Sequence, residues 1–334
     1  MSAKNTTTFL SQLIPTNLKE EEEKFLFDPL YNPQFEYEED IDEEALYRYG
    51  PVSQEYLSTA QAILNKLVHK WGNEENYNDE VQGRVLSQTE VEEYVKEYLD
   101  RNHLSNTITY SFSSSYMART SVFQNTLRIR TPVQYREHGI QSVLDHEIGT
   151  HVFRRLNDKK QPWHRRAKAF DFSPYLATEE GLAVIHAQLS LDDRLLFFPA
   201  LNYYAVCRAE YLSFSELFAE LKDYLPDKQK RFNICLKVKR GLTDTSVPGA
   251  FTKNQIYLAG AIQVCQWLVK NDYAVEKLYV GKVALNDISR AWSQSELTVS
   301  DLLLPAFLNE RTTYKETVLD IIKTNKLPVR LSAT

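Results

Sequence analysis

The stretch DHEIGTH, Asp145 to His151, places two histidines and two acids within seven residues. A zinc ion is commonly held by two histidines four residues apart on one helix, with a glutamate directly after the first. Here the two histidines, His146 and His151, are five residues apart. At about 100° per residue, four positions separate two side chains by only about 40°, whereas five separate them by about 140°. A regular α-helix therefore cannot direct both imidazoles to one ion.

An irregular helix would remove this mismatch. A π-bulge accommodates one extra residue in a turn of about 4.4 residues, so that five positions return almost to the starting face, and such bulges recur at functional sites. Gly149 lies inside the interval and would ease the distortion. The spacing therefore predicts a π-bulge between His146 and His151, with both histidines as metal ligands.

Acidic residues can supply the other parts of a catalytic metal site. Glu147 follows His146 and points away from the pair of histidines, which suits a general base better than a ligand. A catalytic zinc needs three protein ligands and one open position. The third ligand must then come from another helix. TEEGLA (178–183) offers Glu179 and Glu180 about thirty residues downstream.

The helix that carries TEEGLA has signals of its own. Ser173 is the expected N-cap and Pro174 the first helical residue. Gly181 costs about 1 kcal/mol relative to alanine inside a helix, so its presence predicts a close approach to the motif helix. Such an approach would bring a glutamate of this helix to the two histidines.

The pattern of apolar residues predicts a mainly helical chain with a short region of strands. A helix that starts near Ser53 ends near Gly72, and Ser87 caps the next helix. Residues 106–112 and 125–132 are predicted strands, separated by a polar, serine-rich hairpin or loop. Further helices are expected from about Val133 to Leu156, Pro174 to Leu189, Asn202 to Leu225 and Thr252 to Val269. Many helices around a short strand region indicate an α+β fold.

Composition narrows the class of protein. The 334 residues are 43% apolar and 12% aromatic, which is typical of a globular chain. A net charge of −6 argues against general nucleic-acid binding, because phosphate contacts need a basic surface. The three cysteines form no CxxC pair, and the sequence contains neither an evident signal peptide nor a membrane span of about 20 residues. We therefore expect a cytoplasmic protein with no membrane or nucleic-acid partner.

Two segments have an unusual charge. Residues 1–48 are rich in acids, with prolines and spaced aromatic residues, and are expected to form an extended arm before a catalytic domain at 49–334. Residues 154–168 contain seven Lys or Arg against one Asp. Such a basic block is usually a solvated surface, but beside a cleft it could also attract acidic chain ends.

HEIGTH followed by EEGLA resembles the paired signature of the microtubule-associated tyrosine carboxypeptidases and their bacterial relatives, which carry a QEGLA motif. The resemblance extends from about Tyr56 to Leu308. It includes Gln161 and Pro162 after the motif helix, and the block FTKNQIYLAG (251–260). The family usually has Asp where this chain has Asn254, which weakens any role ascribed to an acid at that position.

This resemblance implies a zincin-like zinc metallocarboxypeptidase of the gluzincin type, with one Zn²⁺ per chain and a short sheet beside the motif helix. It assigns His146 and His151 as ligands and Glu147 as the catalytic acid and base. It also assigns the glutamate of the QEGLA-like motif as third ligand. Because glutamine, the family residue at the first position, is a poor zinc ligand, Glu180 is expected rather than Glu179. Founding members of the family remove the C-terminal tyrosine of α-tubulin.

The expected reaction is hydrolysis of the C-terminal residue, tyrosine or another aromatic or acidic residue, from a peptide or protein tail. The tail would be tubulin-like if the organism has tubulin. An alternative is a catalytically inactive or regulatory protein that binds peptide tails on the same fold, and a third reading is an endopeptidase. Glu147 favours an enzyme, because a protein without turnover has no need of an acid at that position.

Further contacts with the substrate are predicted from chemistry alone. A phenol or a cation usually stabilises the oxyanion, and Tyr257 is the first candidate, before Tyr203 and Tyr204. A carboxypeptidase must also bind the terminal carboxylate, commonly through arginine or lysine. The candidates are Arg240 and Lys253 in later sequence blocks, and Arg128 and Arg130, which share one face of a predicted strand that would lie at a sheet edge beside the motif helix.

Overall fold

The computed structural model describes residues 9–116 and 118–330. The chain divides into two compact units, and each is built from two separate parts of the sequence. Unit 1 comprises the residues up to Tyr77 together with Leu196–Leu258. Unit 2 comprises Asn78–Leu195 together with the residues from Ala259 onward.

Helices dominate both units. The α-helices are α1 (Phe9–Gln12), α2 (Leu18–Phe27), α3 (Glu43–Leu46), α4 (Leu57–Trp71), α5 (Glu74–Val81), α6 (Gln88–Arg101), α7 (Gly139–Leu144), α8 (Phe153–Asp158), α9 (Leu176–His186), α10 (Phe197–Ala209), α11 (Phe214–Glu220), α12 (Lys228–Lys239), α13 (Ile256–Lys270), α14 (Ile288–Gln294) and α15 (Arg311–Thr324). A π-helical segment, Asp145–Val152, connects α7 to α8. Short 3-10 helices span Ala167–Phe170, Leu221–Asp223, Thr252–Gln255, Val275–Tyr279, Leu285–Asp287, Val299–Asp301 and Ala306–Leu308. Across residues 9–116 and 118–330, no helix has both the length and the hydrophobicity to cross a bilayer.

The sheet has three strands, β1 (Thr109–Ser113), β2 (Thr120–Phe123) and β3 (Thr126–Arg130), in the order β1-β3-β2. The pairing of β1 with β3 is parallel, whereas β2 and β3 pair antiparallel. The two predicted strands are therefore parallel neighbours. Of the two predicted connections between them, a hairpin or a loop, the hairpin is wrong, because a hairpin joins antiparallel strands. The hairpin joins β2 to β3, and β2 has only four residues. The combination of many helices with this small sheet confirms the predicted α+β class.

The N-terminal segment is not the extended arm that its composition suggests. Within the described residues it contains the ten-residue helix α2, whose Phe25 is fully buried in unit 1. The Phe25 ring lies 4.8 Å from each of the rings of Phe214 and Phe218, centroid to centroid. Four of the acidic residues, 20–23, thus lie on a helix that contributes to the core. Residues 1–8 lie outside the described part of the chain, and the boundary at residue 48 remains a prediction.

Capping residues explain which helix boundaries are predictable. Gly72 ends α4 with a positive φ of 81°, a conformation that favours glycine. Ser87 accepts a hydrogen bond from the Glu90 backbone, and the Glu90 side chain accepts one from the Ser87 backbone, a complete capping box. Both boundaries confirm the predictions. The single helix expected from Asn202 to Leu225 is wrong, because Ser213 forms a second capping box that starts α11.

Unit 2 contains the DHEIGTH stretch and the elements that pack against it. The π-helical segment contacts α9, which carries TEEGLA, and it also contacts the strand β2. The two sequence motifs, 145–151 and 178–183, are therefore adjacent in space, with a strand at the sheet edge beside them.

Candidate metal centre

The helix through DHEIGTH is irregular at the predicted place. Asp145–Val152 is π-helical, whereas α7 before it and α8 after it are α-helical. The rings of His146 and His151 lie on one side of this segment, with 5.0 Å between their centroids. The prediction of a π-bulge is confirmed, and the irregular turn does bring the two imidazoles together.

Gly149 has a steric role in this segment. A Cβ added to Gly149 would lie 2.5 Å from Phe307 Cε1 and 2.8 Å from the Tyr98 hydroxyl. Its φ is not among the positive φ values of the described residues, so the position does not need a left-handed backbone. The expectation that Gly149 serves by easing the distortion therefore needs correction: close packing against Phe307 and Tyr98 excludes a larger residue.

Buried side chains hold the backbone of the π-helical segment. The Tyr279 hydroxyl donates a hydrogen bond of 2.7 Å to the Gly149 carbonyl, and the Thr150 hydroxyl donates one of 3.1 Å to the Asp145 carbonyl. Thr150 Oγ1 also lies 2.7 Å from Nδ1 of His186, the last residue of α9. Because buried carbonyl groups need partners, these contacts stabilise the irregular geometry and attach α9 to it.

Three side chains direct one ligand atom each to a common point. Nε2 of His146 and Nε2 of His151 each lie 3.8 Å from Oε2 of Glu180. All three ligand atoms lie within 4.8 Å of one another. Bonds of about 2.0–2.2 Å in a tetrahedral zinc site place ligand atoms about 3.3 Å apart, so small side-chain movements would complete the cage. His146, His151 and Glu180 can therefore hold a metal ion, and the preference for Glu180 over Glu179 agrees with this geometry.

The helix that presents Glu180 begins later than predicted. Its N-cap is Tyr175, which makes no side-chain capping hydrogen bond, so the assignment of Ser173 as N-cap and Pro174 as first residue is wrong. Gly181 faces α13 rather than the motif helix, since a Cβ at Gly181 would lie 2.1 Å from the carbonyl carbon of Gly260. The close approach predicted from this glycine exists, but with a different helix.

Glu179 contacts the candidate metal site but is not among the three residues that could hold the ion. Its Oε1 accepts a hydrogen bond from His151 Nδ1 at 2.9 Å and forms an ion pair with Lys282 Nζ at 2.8 Å, and its Oε2 accepts a hydrogen bond from Arg154 Nη1 at 3.1 Å. Burial opposes ionisation, but these partners outweigh it and hold the pKa of Glu179 far below its usual range. The carboxylate is therefore ionised at working pH and orients His151 with Nε2 toward the metal position.

The protonation states of the histidines also suit metal binding. Burial lowers the pKa of His146 to about 3, assisted by the neighbouring His151, so that this imidazole is neutral near pH 7. The His146 ring also hydrogen-bonds the backbone of Ala183 in α9. Burial also lowers the pKa of His151, but the hydrogen bond to Glu179 raises it more. A divalent cation bound by the two histidines and Glu180 would displace the extra proton of a protonated His151.

Glu147 shares a cleft with the ligand residues. The cleft has a volume of about 260 Å³, and its lining includes Glu147, His151, Glu180, the edge-strand residue Val122 and Tyr175 of the α9 N-cap. Burial raises the pKa of Glu147 to about 7. A buried carboxyl group with this pKa beside a metal position can both accept and donate a proton at neutral pH.

The sequence matches the family model described as microtubule-associated tyrosine carboxypeptidase over residues 38–323. The chain belongs to this family. The match extends beyond both ends of the resemblance that the motifs suggest, 56–308. It contains the three ligand residues and Glu147.

Relatives of this chain in the microtubule-associated tyrosine carboxypeptidase family include mammalian proteins. A mouse protein named "Putative tyrosine carboxypeptidase MATCAP2" is 33% identical over 328 residues, which cover 95% of this chain and 62% of the relative. Rat "Microtubule-associated tyrosine carboxypeptidase 1" is 30% identical over 95% of this chain and 69% of its own length. The human protein of that name is 30% identical, and the match covers 97% of this chain and 70% of the human protein. The chain thus spans about three fifths to seven tenths of these relatives.

Two arginines predicted to contact the substrate lie in the sheet. Leu127 and Ile129 are buried and Arg128 and Arg130 point to the opposite face, which confirms the predicted alternation. Their strand β3 is central, however, and β2 is the edge strand that contacts the π-helical segment. The expectation that these arginines lie on the edge strand is wrong, and their substrate role remains a prediction.

The remaining predicted contacts lie in unit 1, whereas the metal centre lies in unit 2. Tyr257 is the second residue of α13, and Lys253 Nζ lies 5.9 Å from the centre of its ring. The guanidinium of Arg240 lies 4.7 Å from the ring centre of Phe251. The roles of Tyr257, Lys253 and Arg240 remain predictions. Tyr203 and Tyr204 are buried, and Tyr203 donates a hydrogen bond of 2.6 Å to the Ser53 carbonyl.

The basic block after His151 is not a uniform solvated surface. Arg154 is fully buried and donates hydrogen bonds of 2.9 Å to the carbonyls of both Leu278 and Val283, in addition to its contact with Glu179. Lys159 is exposed. Arg154 and Lys282 thus contact Glu179 beside the candidate metal site, a pairing that the sequence did not reveal. Arg154 follows His151 by three positions, a helical spacing that could have drawn attention to it, whereas Lys282 lies in no recognisable motif.

We expect Glu179→Ala to weaken metal binding by about 10–100-fold, because the variant removes the acceptor that orients His151. Glu179→Gln should lose less, because its amide oxygen can still accept from His151 Nδ1. The dissociation constant for zinc, measured by competition with a chromophoric chelator, checks this order. Equal zinc affinities for the wild type and Glu179→Ala would contradict the proposed orienting contact.

Proposed function

We propose that this chain is a zinc-dependent carboxypeptidase, zincin-like and of the gluzincin type, that releases the C-terminal residue of a peptide or protein tail. The observation that carries the proposal is the convergence of His146, His151 and Glu180 on one point in a cleft that Glu147 also lines. Membership of the microtubule-associated tyrosine carboxypeptidase family agrees with this activity.

The set of donor atoms suits zinc. Two imidazole nitrogens and one glutamate oxygen form the catalytic zinc sites of thermolysin and carboxypeptidase A. The same set can bind non-haem Fe(II), but a glutamate directly after the first histidine is what a hydrolytic zinc site uses as its base. When bound, zinc would lower the pKa of a coordinated water and polarise the carbonyl of the substrate.

Glu147 is the proposed acid and base. Its ionised carboxylate would accept a proton from the attacking water and then donate that proton to the amine of the released residue. Glu147 can serve in this way because His146, His151 and Glu180 supply a complete ligand set without it. Glu179 would hold His151 in place throughout, together with its partners Arg154 and Lys282.

The proposed substrate is a free C-terminus that ends in tyrosine or in another aromatic or acidic residue. The names of the rat and human relatives refer to tyrosine and to microtubules, and a tubulin-like tail in the cytoplasm is therefore the proposed partner. The cleft volume of about 260 Å³ is close to the lower end of the range of about 300–1,000 Å³ for ligand pockets, which suits one terminal residue. The predicted contacts Tyr257, Arg128, Arg130, Arg240 and Lys253 belong to this proposal.

Metal analysis combined with matched peptides tests the proposed function. We expect the purified protein to carry one zinc per chain and to release a single residue from an acidic peptide that ends in tyrosine. Removal of the metal with a chelator should abolish hydrolysis, and added Zn²⁺ should restore it. The same peptide with a C-terminal amide should react far more slowly.

Other outcomes would favour the other classes of function. Cleavage of the acid and the amide at equal rates, with internal fragments in the mass spectrum, would indicate an endopeptidase. Binding of the peptide without hydrolysis by the zinc-loaded protein would indicate the regulatory alternative, in which Glu147 has no catalytic task.

A further inference from the structure

Arg155 lines the same cleft as Glu147, His151 and Glu180. It lies in α8, four residues after His151. Four positions along a helix separate two side chains by only about 40° around the axis. The guanidinium of Arg155 and the imidazole of His151 therefore extend on the same side of the helix, toward the cleft.

The guanidinium of Arg155 has unused donors. Its Nε and Nη2 atoms are buried and have no hydrogen-bond partner among the residues that the structure describes. An unsatisfied buried donor is costly, and the cost is greater on a charged group. An acceptor that entered the cleft with a ligand would remove this cost.

The two cations next to Arg155 in the metal centre are already engaged. Arg154 donates through Nε, Nη1 and Nη2 to two backbone carbonyls and to Glu179. Lys282 lines the cleft as well, but its Nζ lies 2.8 Å from Glu179 Oε1. Glu179 is in turn shared among Arg154, Lys282 and His151. An incoming anion would therefore find on Arg155 buried donors that no described residue uses.

We infer that Arg155, rather than the cations predicted from the sequence, binds the terminal carboxylate of the peptide substrate, because Arg155 lines the cleft and those four residues do not. The inference rests on the proposed function and names the residue that makes the enzyme act at chain ends. The planar guanidinium can form two parallel hydrogen bonds with a carboxylate, which fixes both the position and the orientation of the chain end. With the terminus held beside His151, the last peptide bond would reach the metal and Glu147, whereas a longer segment beyond that bond would collide with Arg155.

Matched peptides on Arg155 variants test this inference. For a peptide ending in a free tyrosine, Arg155→Met should lower kcat/KM roughly 100-fold, as expected for the loss of a buried charged pair. The rate on the C-terminal amide should stay within about twofold, because the amide lacks the charge that Arg155 would bind. Arg155→Lys keeps the positive charge but not the planar guanidinium that can form two parallel hydrogen bonds. This variant should recover part of the loss on the free acid. Lys159→Met is the matched control, since it removes an exposed cation just after α8.

A binding measurement separates recognition from turnover. In a Glu147→Gln background, which turns the peptide over far more slowly, the dissociation constant of the free-acid peptide should rise roughly 100-fold on Arg155→Met, while that of the amide should not change. Zinc content and thermal unfolding show whether each variant is folded. If Arg155→Met does not fold, Arg155→Lys decides the question through the ratio of kcat/KM on the free-acid peptide to kcat/KM on the amide.

The failure of this inference differs from the failure of the proposed function. If the wild type prefers the free acid and both Arg155 variants keep that preference, another residue binds the carboxylate and the inference is overturned. If the zinc-loaded wild type hydrolyses neither peptide, or both at equal rates, the proposed carboxypeptidase function is wrong.

Discussion

Glu147→Gln should lower kcat/KM about 1,000-fold while zinc remains bound with its affinity unchanged. Glutamine has the shape of glutamate but cannot accept the proton of the attacking water, and a positioned general base contributes about 10²–10⁴-fold to a rate. Zinc should remain because the ligand atoms come from His146, His151 and Glu180. Steady-state kinetics on a peptide ending in tyrosine, together with metal analysis of the same sample, measure both quantities.

The pH profile gives this prediction a direction. Burial raises the pKa of Glu147 to about 7, and a divalent cation at the neighbouring ligands would bring it lower. A base acts only when it is ionised, so kcat/KM of the wild type should fall as the pH decreases through this pKa. Any residual activity of Glu147→Gln should lack that acid limb.

Two further variants identify the cause of the loss. Glu97→Gln changes an exposed acid of α6 in the same unit and should leave both activity and zinc unchanged. Glu180→Gln replaces a ligand and should lose zinc together with activity. Loss of zinc from Glu147→Gln would mean that Glu147 is itself a ligand, and full activity of that variant would mean that the base lies elsewhere.

The metal centre was predictable because one requirement outweighed local propensity. Two imidazoles five residues apart can share an ion only on a distorted helix, so the spacing of His146 and His151 implied the π-helical segment. Spacing alone could not decide whether Glu179 or Glu180 is the third ligand, since both lie on the same helix. It came from the family motif, and the structure explains it: Glu179 is engaged with Arg154 and Lys282 and turns one oxygen to His151.

The features of the fold and of the candidate site that the sequence did not predict depend on contacts between residues far apart in the chain. β1 and β3 are parallel, and β2 is too short to give a clear alternating pattern, so the sequence suggested only a hairpin or loop between the two predicted strands. The sequence of α2 indicated part of an extended acidic arm, because only a few of its residues, such as Phe25, are apolar and enter the core. Arg154 was assigned to a solvated surface because its neighbours are charged, although two of its partners, the carbonyls of Leu278 and Val283, lie more than a hundred residues further along the chain.

Gly181 illustrates how a local signal can be right while the partner is wrong. A glycine in the middle of α9 indicated a close contact, but nothing in the sequence identified the helix that makes it. The contact is with Gly260 of α13, the last residue of the block FTKNQIYLAG. A Cβ at Gly260 would likewise lie 2.1 Å from the Ala177 carbonyl oxygen of α9, so both helices depend on the absence of a side chain at this crossing.

Gly181→Ala should destabilise the protein by about 3 kcal/mol or more and weaken zinc binding. Alanine would gain about 1 kcal/mol of helix propensity, but its Cβ would meet Gly260 C at 2.1 Å, Gly260 O at 2.4 Å and Ala261 N at 2.6 Å. All three are backbone atoms, so no side chain can rotate away, and the helices must separate in a tightly packed interior. Because Glu180 directly precedes Gly181, this separation would displace the proposed third ligand relative to the two histidines.

Urea unfolding and zinc titration measure the two effects, with Gly139→Ala as the matched control. A Cβ at Gly139 would lie 2.9 Å from Oε1 of Gln82, the far end of a flexible side chain that can move aside. That variant should therefore change the free energy of unfolding by less than about 1 kcal/mol. If Gly181→Ala unfolded at the wild-type urea concentration and bound zinc equally well, the close crossing of α9 and α13 would not be what positions Glu180, and the support of the third ligand would have to come from the contact between His186 and Thr150 instead.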